Sequence, residues 1–586
     1  MRDLPAVPAL RQLCVPVLAA LALALGLGCG SGTPPSRGGY GSALPSGDQQ
    51  RGGTLKVLAT ERFGHLDPGA AWFQLDYMIT SATHRALYAF RPDDPRTPVP
   101  DLAEGPPVVS SDGRTVRVKL KRGIRYGTNE RTPVSGMEVT AADVKYAIER
   151  GLNPSVDNGY VRLYFPLVGS EKAGGGEIPG ITTPDRHTIV FKLSRPFGAT
   201  TARALVLPIT APVPRSYAAQ FDAKDPNRYD SQPQRQAFTG PYMIRSYEPE
   251  RSIILVRNPE WDRRTDRRPA YPDRIEWELG VQPNVAGRQI FNGESLVNAG
   301  TPERGTLKLF ATRSKDRISF TPLGNRFVAV NTERGPFSDV NARRAFAAAL
   351  NRVAMRTQRG GAHVGDIATH FLPPAVPGFQ QAGGVAGPGA DYLGKPAGDP
   401  VLAARYMRKA GFPSGKAGGR AVTVLGPSDP PARDTTQVVR DALASLGFHV
   451  NQRLYDQQTL LTRYCGVPEE MQRIDVCHNV GWIPDFNDPY AMLHPNFNGN
   501  AIQPTSTTNV SLFRDPAIDA AMRRAALIRD EAQRARAWGR IDRQLVEQVP
   551  AIPFLWEIVA NVASKNVHGV VARWNGSWDL SYTSLK

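Results

Sequence analysis

The chain has 586 residues, with 71 basic and 54 acidic side chains and a formal charge of +17. This is too long for one ordinary domain, and an apolar fraction of 41% excludes both wholesale disorder and a polytopic membrane protein. Fifty-five glycines and 51 prolines predict many turns and exclude a plain helical bundle.

The chain opens with Arg2 and Arg11, an apolar run from Cys14 to Leu27, and then Gly28, Cys29, Gly30 and Ser31. A run of about 14 residues is shorter than the roughly 20 needed to span a hydrocarbon core, so 1–28 reads as a cleaved signal peptide. The competing reading is an uncleaved anchor. Residues 29–53 contain almost nothing able to pack and read as a flexible tether. A cysteine between signal and tether resembles the acceptor of a bacterial lipoprotein, here of an actinobacterial kind, although Gly26 stands where such proteins usually carry Leu. Acylation of Cys29 would anchor the chain firmly; the alternative is a leftover signal-peptide thiol. In an exported chain the remaining cysteines, Cys465 and Cys477, are expected to close as a disulfide.

Strands are predicted at Thr54–Leu58, Thr115–Leu120, Thr188–Leu193, Ser252–Arg257 and Ile275–Leu279, from alternation or β-branched content. Thr140–Arg150 reads as a helix opened by a Thr cap with Asp143 three residues on, placing Val144, Ala147 and Ile148 on one face. Asp339–Arg352 reads as a second helix, and Asp515–Asp530 with Glu531–Gln548 as a helical pair whose Trp538, Ile541 and Leu545 point inward. Alternating strands and helices without a fixed repeat imply an α/β chain of more than one lobe.

Catalytic signatures are missing. No histidine is followed by Glu, so there is no HExxH helix, and there is no GxSxG elbow. Gly411–Ala417 falls one residue short of a phosphate loop and ends on Ala where a hydroxyl belongs. The chain therefore reads as no enzyme, with no cofactor and no metal. The basic excess is dispersed, and an exported address makes nucleic acid an unsuitable partner.

Several stretches together resemble the extracytoplasmic solute-binding proteins of peptide ABC transporters, the oligopeptide and dipeptide-binding family (bacterial solute-binding protein family 5). They are Gly52–Leu58 with the Leu66-Asp67-Pro68 turn, Ser111–Gly123 with the helix at Thr140, and Thr239–Tyr242 with Tyr247–Trp261. Phe327–Arg352, Phe371–Gly378, Gly481–Pro489 and Pro553–Lys565 complete the set in the family's order.

The resemblance implies a two-lobed, periplasmic-binding-protein-like clamp of type II, in the large class with an extra inserted subdomain. Its expected layout is 54–89 as the first part of lobe I, 90–205 as the insert and 206–312 as the second part of lobe I. Residues 313–550 would form lobe II and 551–586 the return to lobe I. It also implies a monomeric subunit on the outer face of the membrane that encloses short peptides by hinge closure and delivers them to a permease with separate ATPase subunits. In peptide-binding members the acid at the place of Asp485 pairs with the peptide's α-amino group; the competing reading is an acid capping its own turn among Pro484, Asn487 and Pro489. Trp482 and Phe486 are assigned to the ligand on the same segment, and Trp72 and Gln74, after the LDP turn, to the facing wall. A closed Cys465–Cys477 bridge would stiffen the loop presenting the acid. The alternatives are the same fold with another solute, such as a nickel chelate, haem, an oligosaccharide or an antibiotic-like peptide, or a secreted hydrolase.

Overall fold

The computed structural model describes residues 49–586 apart from 61, 95–96, 224–226 and 301. The export run, Cys29 and the tether up to residue 48 lie outside the described residues.

The elements that position the site are, in chain order, β1 (Thr54–Ala59), α1 (Gln74–Thr83), β2 (Val108–Val109), β3 (Thr115–Lys119), α2 (Ala141–Arg150), α3 (Gly159–Tyr164), β4 (Ile181–Asp185) and β5 (Thr188–Lys192). They continue as β6 (Tyr242–Glu248), β7 (Ser252–Arg257), β8 (Arg274–Glu278), β9 (Val297–Ala299) and β10 (Ile318–Val330). Then come α4 (Val340–Ala349), α5 (Arg352–Arg359), β11 (Gly365–Asp366), β12 (Ala421–Pro427), α6 (Ala432–Ser445) and β13 (His449–Tyr455). The last are β14 (Val476–Trp482), α7 (Tyr490–Phe497), α8 (Pro516–Ala526), α9 (Glu531–Gln548) and β15 (Ala551–Val562).

Three sheets carry the architecture. A five-stranded sheet has the order β9-β1-β8-β7-β6, with β1 parallel to both neighbours and the β8-β7-β6 portion antiparallel. An antiparallel four-stranded sheet, β2-β3-β5-β4, is built wholly from residues 108–192. A six-stranded sheet runs β11-β15-β10-β14-β12-β13. Its two longest strands, β10 and β15, pair antiparallel from Ile318↔Val562 to Ala329↔Ala551. Just past β15, Ala563 bridges to Val297 at the edge of the five-stranded sheet, so this ribbon joins the two sheets.

Local chemistry explains the predicted elements. β3 alternates buried Val116 and Val118 with exposed Arg117 and Lys119, as one covered face requires. At α2 the Thr140 N–H donates to Asp143 at 2.8 Å, and Val144, Ala147 and Ile148 are buried. Arg150, at the end of that helix, is 1% exposed and grips Asp67 at 2.7 Å, tying α2 to the Leu66-Asp67-Pro68 turn.

Asp339–Arg352 departs from the expected single helix. Asp339 caps α4, which ends at Ala349, and Leu350 is extended. Asn351 then accepts from Ala354 N–H at 2.8 Å and opens α5. An Asn offered a cap competes with continuing the helix, and here it wins. The helix expected over Asp515–Asp530 stops at Ala526, and Asp530 caps α9 instead.

Two large cores result. One underlies the five-stranded sheet through Leu55, Ile253, Trp277 and Trp578. The other runs without interruption from Val116 and Phe191 of the four-stranded sheet, through Tyr164, Phe486 and Tyr490, to Phe327 and Leu555 of the six-stranded sheet.

Candidate ligand site around Asp485

β14 lies between β10 and β12, and its last residue, Trp482, opposes Asn325. Residues 483–489 follow as a loop closed by α7. The acid that caps this loop is Asp488, which accepts from Tyr490 N–H at 2.8 Å. Asp488 also receives a two-point grip from Arg534 of α9, at 2.7 and 3.0 Å, and a further contact from Arg203 at 3.1 Å. Both members of the Asp488–Arg534 pair are buried, so the loop is fixed on α9.

Asp485 is thereby free of the turn-capping duty. Its residue is 8% exposed and its carboxylate accepts from the Tyr164 hydroxyl, which comes from α3 beside the four-stranded sheet. Among the described residues no cation lies within ion-pair distance of it. Burial pushes its pKa up to about 7, while the Tyr164 and Tyr160 hydroxyls pull the other way. A buried carboxyl served only by hydroxyls is half prepared for charge and lacks a counter-ion.

Aromatic rings surround it. The Tyr77 hydroxyl donates to that of Tyr160 at 2.9 Å, and Trp72 packs on Tyr160 at 4.2 Å between ring centroids. Trp72 meets Trp482 at 6.4 Å, and Phe486 meets Tyr164 edge-on at 4.9 Å. Trp482 donates its indole N–H to the Ala491 carbonyl at 2.8 Å, and the Trp574 indole donates to the Pro484 carbonyl at 3.3 Å. Aromatic rings and one acid are side-chain types that suit a cation.

The sequence-predicted residues fall into three groups. Trp72, Trp482 and Asp485 share the aromatic cluster, with Trp72 and Trp482 half-buried. Phe486 is wholly buried against Tyr164. Gln74 is turned to the C-terminal segment, donating to the Asn575 carbonyl at 2.8 Å. Cys465 and Cys477 are joined by a disulfide with Cα atoms 6.2 Å apart, and both are buried at the far end of β14. The histidines flanking the loop are buried: His478 bonds Thr435 at 2.7 Å, His494 stacks on Tyr490 at 4.4 Å, and burial holds both pKa values down to about 3. Sequence reasoning did not find Tyr77, Tyr160, Tyr164 or Trp574. The Tyr160/Tyr164 spacing, one helical turn on the Asn158-capped α3, was the one available signal.

Residues 97–504 match the family described as bacterial extracellular solute-binding proteins, family 5 Middle. The di/tripeptide-binding protein 2 of Pseudomonas aeruginosa is 24% identical over 521 residues, covering 88% of this chain and 92% of that protein. Among solved structures, the clavulanic acid biosynthesis oligopeptide binding protein 2 superposes with a TM-score of 0.77 at 27% identity, over 92% of this chain and 96% of the other. The periplasmic binding protein DppA of Helicobacter pylori, in complex with the peptide STSA, has the same fold, with a TM-score of 0.74 at 19% identity over 92% and 98% of the two chains.

Proposed function

Because this chain belongs to the bacterial extracellular solute-binding proteins of family 5, we propose that it captures short peptides as the extracytoplasmic subunit of an ABC importer, with Asp485 pairing to the peptide's α-ammonium group. One observation carries the assignment: a buried carboxylate, ringed by aromatic side chains and hydroxyls, that has no cationic partner among the described residues. An enclosed ammonium requires a charged acceptor, and Asp485 lacks a cation, so each offsets part of the other's desolvation cost. The peptide-binding relatives support the class of ligand, as does the oligopeptide-binding protein that superposes over most of the chain.

In this reading the Tyr164–Asp485 contact opens to admit the peptide and the amine takes the place of the hydroxyl hydrogen. Trp72 and Trp482 wall the first ligand position. The ribbon of β10 and β15 serves as the hinge, and release occurs at a permease driven by separate ATPase subunits. Acylated Cys29 would hold the protein at the membrane through its tether.

Native mass spectrometry of protein purified without denaturation should display a ladder of short peptide masses. Calorimetry should give binding of free-amine peptides that N-acetylation weakens by at least a hundredfold, and Asp485→Asn should abolish that distinction. Equal binding of free and acetylated peptides by the native protein would remove Asp485 from the amine-pairing role.

A further inference from the structure

Tyr77 also lines a cavity of about 90 Å³, whose apolar walls include Tyr88, Phe90 and Trp574. An engineered apolar cavity of about 150 Å³ takes up benzene, so this space suits a side-chain-sized group and no more. Most charges around it are matched from within: Arg268 meets Asp266 at 2.6 Å and Arg85 meets Asp101 at 2.7 Å. Three cations on the wall have no hydrogen-bonded carboxylate among the described residues: Lys121, Arg573 and the exposed Arg267. Lys121 donates to the Thr265 carbonyl at 3.0 Å and forms no ion pair among the described residues. Arg573 has Asp579 Oδ2 at 3.6 Å from Nη1, beyond hydrogen-bond length, and its buried Nε meets no acceptor among the described residues.

The Trp574 ring, its centroid 5.1 Å from the Arg573 guanidinium carbon, and Asp579 offset part of the desolvation cost of this guanidinium, and without a two-point acceptor the rest stands. Burial also holds its pKa below the ordinary arginine value. A carboxylate fits the planar donor pair that Arg573 presents. A dianion fits less well, because Asp101, Asp266 and Asp579 share the walls.

We propose that this cavity receives a single carboxylate on a short apolar stem, with Arg573 as its principal partner and Lys121 as the second cation. The nearest source is an acidic side chain of the bound peptide, a form that rests on the amine reading of Asp485. Trp574 walls the cavity and bonds the carbonyl of Pro484, the residue before Asp485. The other source is a free small carboxylate.

The test is calorimetry on the mature protein and on Arg573→Gln, with Ala-Gln-Ala, Ala-Glu-Ala and butyrate as probes. The expected result is that the native protein binds the Glu peptide at least tenfold tighter than the Gln peptide. Arg573→Gln should erase that preference while holding the Gln peptide within twofold. Butyrate binding that depends on Arg573, without discrimination between the peptides, would support the cavity with a free carboxylate as its occupant. If neither peptide binds but butyrate does so through Arg573, the amine reading of Asp485 fails and the carboxylate site stands. Absence of any Arg573-dependent preference or butyrate binding overturns the proposal. Should Arg573→Gln not fold, Lys121→Gln decides: a preference reduced at least threefold supports the site, and an unchanged one overturns it.

Discussion

Asp485 couples the site to pH. Its folded pKa of about 7 lies above the unfolded aspartate value of about 4. The stability it contributes is therefore complete below about pH 4 and is lost as pH rises through 7. Thermal melts of ligand-free protein from pH 5 to 8 should fall relative to Asp485→Asn as pH rises. Peptide affinity should move the other way, because the ammonium requires the ionised acid. At pH 6, titrations in buffers of different ionisation enthalpy should detect release of about one proton on binding, reversing to net uptake by about pH 8.5, where the acid is already ionised and the peptide amine, with an ordinary pKa near 8, must gain a proton. A pH-independent affinity would mean that the acid is ionised throughout and that its burial is relieved in solution.

Among the elements, β14 divides two tasks between its ends. At one end Cys477 is bridged to Cys465, and at the other the loop bearing Asp485 is clamped by Asp488 on Arg534. Sequence reasoning gives the bridge the work of stiffening that loop; the structure provides a nearer clamp. Replacing both cysteines by serine should cost about 3 kcal/mol in urea unfolding, as expected for so short a closed loop, and should leave peptide affinity within twofold. Asp488→Asn should do the reverse, with an affinity loss of tenfold or more. A large affinity loss in the serine pair would return the stiffening role to the disulfide. Period and caps made most of these elements legible: β3, β5, β7 and β8 each lie within a residue of their predicted limits, and α2 begins after its Thr cap. The break at Asn351 was not legible, because the preceding alanines continue the helical period and only the side chain's bond to Ala354 marks the stop. In the candidate site, Trp482 and Asp485 stood out through the Gly481–Pro489 segment. Tyr164 could not, since 321 residues separate it from the acid it touches and no local pattern encodes that contact.

Across the whole molecule, the sheets meet through β10 and β15, and one charged cluster sits on that ribbon. Glu557 of β15 receives Arg326 of β10 at 2.7 Å and Arg359 at 2.8 Å. Arg359 also donates to Asn479, which lies on β14. The two guanidiniums hold the Glu557 carboxyl below the usual glutamate range. Its stabilising contribution is thus present above about pH 4 and lost as pH falls. Glu557→Gln would leave both cations facing an amide. It should cost roughly 3 kcal/mol, the low end for breaking a buried pair, since the Arg326 side chain keeps 24% of its exposure. Chemical denaturation at pH 7 measures this, and an effect below about 1 kcal/mol would show that water already screens the cluster.

The same ribbon sets an order of assembly. The six-stranded sheet needs residues 551–562 as an interior strand, and the core beneath the five-stranded sheet needs Ala563, Trp578 and Leu580. Both halves therefore wait for residues 551–580 to be made. A nascent chain lacking them has apolar faces open in both halves, so completion of either half follows their synthesis.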